Sequence, residues 1–159
     1  METSLSSSSS PSGVIVGALA TLKLPIIIVM GFPYLVEGCE LLSHLCTYEK
    51  GGRTYHCVQG LGPEDDVKFA GAHQMVLVGC DSQLQMAEGS PPGDGLGITE
   101  ARWQSPGGFE FVSSWGELYG DKGHAWVSFD TVDHLFSLRA LEVWAVSTSQ
   151  LHQLHGGKD

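Results

Sequence analysis

Val14 to Leu35 reads VIVGALATLKLPIIIVMGFPYL, and how this stretch is read decides the fold. Its single charge is Lys23. As one helix, these residues would span about 33 Å at 1.5 Å per residue, close to the thickness of a bilayer's hydrocarbon core. A central lysine costs about 2.5–3.5 kcal/mol on insertion scales. Leu22, Leu24, Ile26, Ile27, Ile28 and Val29 offset it by a few tenths each. Pro25 would kink such a helix without abolishing it. Three readings are open: a signal anchor, a cleaved signal peptide, and a buried strand or helix of a globular core. The signal anchor is preferred. No basic residue precedes the run, and no A-x-A cleavage site follows it. Its orientation is undetermined, because Lys50 and Arg53 follow the run and no Lys or Arg precedes it.

Upstream, residues 1–13 contain the run Ser6 to Ser10 and little that is apolar, the composition of a disordered tail. Downstream, residues 36–54 are expected to be a linker. From there the chain punctuates itself with turn signals at Gly51-Gly52, Gly62-Pro63, Gly89 to Gly95, Gly107-Gly108 and Gly156-Gly157. Between them lie short β-favouring runs: Tyr55 to Val58, Gln74 to Cys80, Phe109 to Trp115, Ala125 to Phe129 and Leu141 to Val146. In the last run Leu141, Val143 and Ala145 alternate with Glu142, Trp144 and Val146. Pro33 to Ser43 and Leu138 to Leu154 are weak helical alternatives. The expected class is all-β: a sandwich, barrel or propeller.

The chain has 159 residues, enough for one modest domain. Its 21 glycines and 16% charged residues argue against a long-helix or coiled-coil protein. A formal net charge of −10 repels phosphate backbones and argues against a nucleic-acid partner. Cys39, Cys46, Cys57 and Cys80 contain no C-x-x-C pair. Four cysteines allow three full pairings, and spacing does not choose among them. There is no P-loop, no Gly-x-Ser-x-Gly elbow and no H-E-x-x-H helix.

Two stretches resemble the paraoxonase/arylesterase family of calcium-dependent six-bladed β-propellers. One is Cys57 to Ser82, CVQGLGPEDDVKFAGAHQMVLVGCDS, whose Gly62-Pro63-Glu64-Asp65 matches an acidic pair ahead of two strands, Val67 to Phe69 and Met75 to Gly79. The other is Gly120 to Leu154. The resemblance implies a partial propeller of about two blades over 55–159, and a calcium-dependent arylesterase or lactonase, truncated or inactive, acting on a small ester or lactone. It implies that Glu64 holds a catalytic calcium and Asp65 a structural one, and it marks Cys57 as a disulfide candidate with no partner assigned. With the anchor, it implies a membrane protein of the secretory pathway, on the endoplasmic-reticulum or extracellular side.

The family's two channel histidines are not matched. Phe111 and Asp130 stand at their places, which leaves His124 and His134 as candidate bases. About 40–50 residues are needed per blade, so most later calcium ligands have no counterpart here. The alternative reading is a non-catalytic, membrane-tethered β-sheet module that binds a partner through an exposed sheet edge. The ending Leu141 to Val146, LEVWAV, also resembles the close of TLDc domains.

Overall fold

The computed structural model describes residues 10–23, 25–35, 42–43, 45–61, 63, 65, 67–85, 103–146 and 151–155. The first element is a helix, α1 (Pro11–Leu22). Ser10 caps it, accepting from the Gly13 N–H at 3.2 Å, and Pro11 sits at the first helical position, where no N–H is needed. It stops at Lys23, which adopts left-handed geometry (φ 51°, ψ 31°) and donates its N–H to the Leu19 carbonyl. Pro25 follows two residues later and cannot continue a helix.

The β-branched run after Pro25 then extends as strand β1 (Ile26–Leu35). The stretch read as one membrane-crossing helix is thus divided between a helix of 12 residues and a strand. At 1.5 Å per residue α1 is about 18 Å long. No helix among the described residues is long and apolar enough to cross a membrane.

The remaining strands are β2 (Leu45–Lys50), β3 (Arg53–Val58), β4 (Val67–Asp81), β5 (Gly108–Val112), β6 (His124–Ser128), β7 (Leu141–Val146) and β8 (Leu151–His155), with helix α2 (Phe129–Ser137) after β6. All eight strands join one sheet in the order β2-β3-β6-β5-β4-β1-β7-β8. Neighbours are antiparallel except β3 and β6. The protein is therefore predominantly β, as the turn-punctuated sequence implied. Among the described residues the strands form this single sheet and no four-stranded blades. The expected linker 36–54 contains β2 and the start of β3. Val67 to Phe69 and Met75 to Gly79, expected as two strands, are one strand of 15 residues.

Alternation in the strands builds the core. Ile26, Ile28, Met30, Met75, Leu77, Phe109, Phe111, Ala125, Val127, Leu141, Val143 and Ala145 are all buried on one face. That face receives Ile15 of α1 and Val132 and Leu135 of α2. The two helices are tied by Asp133, whose carboxylate accepts from the Ser12 N–H and the Ser12 hydroxyl, each at 2.7 Å. Ser128 caps α2 by accepting from the Thr131 N–H at 3.0 Å. The Thr131 hydroxyl oxygen also accepts the buried Leu61 N–H at 3.0 Å, tying the end of β3 to α2.

Candidate functional site

Opposite the helices, the second face of the sheet, helix-free among the described residues, carries the residues of the other phase: Glu110 and Val112 flanking Phe111, and His124 and Trp126 flanking Ala125. At the β2–β3 end, a small second core covers this face. Cys46, Cys57, Leu84, Trp103 and Trp126 are buried together, with Tyr48 and Tyr55 against them. Trp103 is held by its indole N–H, which donates to the Val58 carbonyl at 3.1 Å. Gly107 (φ +117°) lets the chain pass here, because a Cβ at that position would fall 2.4 Å from the Phe129 ring.

In the middle of the face lies a polar group. His124 Nδ1 is 3.1 Å from Glu110 Oε1, and the Arg53 guanidinium lies 4.0 Å from the same oxygen. Arg53 also stacks over Tyr55, 4.8 Å from the ring centroid. Beyond them an apolar row crosses four strands. Val112 pairs with Val76, Val76 with Ile27, and Ile27 with Trp144. All four side chains are part-buried.

Towards the end of β5, His73 Nε2 lies 3.2 Å from Ser113 Oγ, which also accepts from the Trp115 N–H. The His73 ring stacks on Trp115, which meets Tyr119 edge to face. The Tyr119 hydroxyl donates to the Leu42 carbonyl at 2.7 Å. Elsewhere, a cleft of about 370 Å³ at the C-terminal end of α1 is lined by Leu19, Ala20, Lys23, Pro25, Leu77 and Cys80, among others.

The residues expected to be functional are scattered. Glu64 lies outside the described residues. Asp65 is part-buried just ahead of β4. Calcium takes six to eight oxygen ligands, and no cluster of three or more His, Cys, Asp or Glu among the described residues is placed to hold a metal ion. His124 and His134 lie on opposite sides of the sheet, His124 on the helix-free face and His134 on α2. They do not form a pair. His134 Nε2 is buried with no hydrogen-bond partner. Phe111 is fully buried in the main core, and Asp130 accepts from the Ser105 N–H at 2.8 Å.

Cys57 is a thiol, directly opposite Cys46 in the β2–β3 ladder. Burial, and then the neighbouring Cys46, push its pKa up to about 12. Burial and then Asp81 raise that of the exposed Cys80.

Sequence reading missed Glu110, Arg53, His73 and Ser113. The one available signal was phase: Glu110 and His124 are polar residues in two strand runs whose alternate positions are apolar. No family model matches this chain, and no curated protein or solved structure matches it either.

Proposed function

We propose that this chain is a non-catalytic β-sheet interaction module whose helix-free face receives a partner protein. One observation carries the reading: the in-register row Trp144–Ile27–Val76–Val112, apolar across four strands on the face without helices. Ordinary solvated sheet faces alternate apolar-in with polar-out, and contiguous apolar surface rimmed by polar groups marks interaction sites. Glu142, exposed two residues before Trp144 on the same face, and a net charge of −10 favour a partner with an apolar surface and a basic rim. Residues 14–35 serve this reading as α1 and the interior strand β1, not as a tether.

The test is a photo-crosslinking amino acid placed at Trp144, with a control at the exposed turn residue Lys122, in an extract of the protein's own cells. Adducts are expected from position 144 alone, and they should be lost on adding Trp144→Arg to a probe at Val76. Equal adducts from both positions, or adducts that survive the Arg substitution, would sink the reading.

A second reading, ester hydrolysis, is favoured by a different observation. The Glu110 carboxylate holds the His124 imidazole at 3.1 Å, the arrangement that orients a general base. The resemblance around Glu64 and Asp65 adds calcium to that proposal. Phenyl acetate turnover that vanishes with chelator, and with His124→Gln, is its expected result. Purified chain with no chelator-sensitive turnover would remove it.

A further inference from the structure

We propose that Cys46 and Cys57 are a reversible redox couple, closing to a cross-strand disulfide in the edge hairpin by exchange with a small-molecule disulfide such as oxidised glutathione. Their Cα atoms are register partners, and both side chains are buried in the same cluster beside Trp103 and Trp126. The thiols therefore share one face of one hairpin.

The turn sets the geometry of the pair. Gly51 and Gly52 form a two-residue loop with φ of 61° and 76°, the all-positive pattern of a type I′ turn. Such a turn is closed by a hydrogen-bonded pair, here Lys50 and Arg53. Hydrogen-bonded and non-hydrogen-bonded pairs alternate along an antiparallel ladder. Cys46 and Cys57, four pairs further on, are again hydrogen-bonded, with Cα atoms about 5.5 Å apart. That lies inside the range of about 4.4–6.8 Å that a disulfide spans. The Cβ atoms of such a pair, about 5.5 Å apart, must draw in toward about 3.8 Å. A bond made against that geometry is more readily reduced than a relaxed one, which makes the couple reversible.

Burial sets the timing. The thiolate is the attacking species, and burial keeps Cys57 protonated at neutral pH. The closed hairpin therefore reacts slowly. Among the described residues β2 ends the sheet and is laddered on one side only, by β3. A strand hydrogen-bonded on one side only opens at lower cost than an interior strand, so local opening of β2 exposes the pair. One cysteine thiolate then attacks oxidised glutathione, forming a mixed disulfide and releasing one glutathione. The second attacks the protein sulfur of that mixed disulfide and releases another. Two protein thiols are oxidised and one small disulfide is reduced. The two thiol protons leave on the two glutathione molecules.

The test incubates the full chain with oxidised glutathione, alkylates the remaining thiols in denaturant and maps peptides by mass spectrometry. A peptide joining Cys46 to Cys57, lighter by two hydrogens, is expected, and reduced glutathione should reopen it. Urea held below the unfolding transition favours local opening and should speed its formation several-fold. Cys39→Ser/Cys80→Ser should keep the link. Cys57 joined instead to Cys39 or Cys80 would overturn the proposal. So would both thiols remaining alkylatable, or a link that reduced glutathione leaves intact.

Discussion

Cys57 shows how burial becomes a pH dependence at the scale of one residue. Its thiol titrates near 9.0 when exposed and at about 12 in the fold, chiefly because burial removes the water that would solvate the thiolate. As pH rises, the unfolded chain releases this proton before the folded chain does. The contribution is therefore whole below pH 9 and is lost as pH climbs towards 12, at about 1.4 kcal/mol per pH unit. Cys57→Ala should lose this part of the alkaline sensitivity. Urea midpoints on either side of pH 9 should fall less in the variant than in the parent. Parallel falls would show that the Cys57 thiol does not set the slope. His124 shows a different side of the residue scale: no neighbour in sequence predicts its contact with Glu110, which is a diagonal across the β5–β6 ladder.

At the scale of the element, α1 depends on a group far along the chain. Its N-terminal end offers amide donors that have no partner within the helix. Asp133 of α2 satisfies the Ser12 N–H and binds the Ser12 hydroxyl as well. A carboxylate at a helix N-terminus is also favoured by the helix dipole. Asp133→Ala should destabilise the protein by about 1–2 kcal/mol. Amide hydrogen exchange should accelerate first in α1, and unchanged exchange there would place the cost elsewhere. The helix end was partly legible: Lys23 and Pro25 are a stop signal, but a membrane helix tolerates both. Besides β2, which falls in the expected linker, the missed element is α2, where the run Ala125 to Phe129 reads as strand to its end. Ser128, a capping residue ahead of Asp130 in the first turn, was the available signal.

At the scale of the whole molecule, β1 is the strand that makes one sheet out of two parts. It lies between β4 and β7, and without it β7 and β8 lose their connection to the rest. It also contributes Ile26, Ile28 and Met30, all fully buried, and α1 adds Ile15. Each such side chain contributes about 1.5–3 kcal/mol on burial. Four of them approach the whole net stability of a domain, about 5–15 kcal/mol. A chain starting at Glu37 should therefore lack cooperative folding, with poor amide dispersion by NMR and no urea transition. If residues 14–35 were only an anchor, the same truncation would fold normally.

The sequence by itself determined the β character of the chain, the turn at Gly51-Gly52, and the alternation of β7 that sets Leu141, Val143 and Ala145 apart from Glu142 and Trp144. These follow from backbone geometry over a few residues, since alternation and turn chemistry are local. Tertiary structure alone decided that the apolar run 14–35 divides into α1 and β1, that Cys46 faces Cys57, and that Glu110 meets His124. An apolar run is satisfied equally by lipid or by a protein core. Which strand lies beside which is a long-range choice, made by the burial of the entire sheet face rather than by any stretch of chain within it.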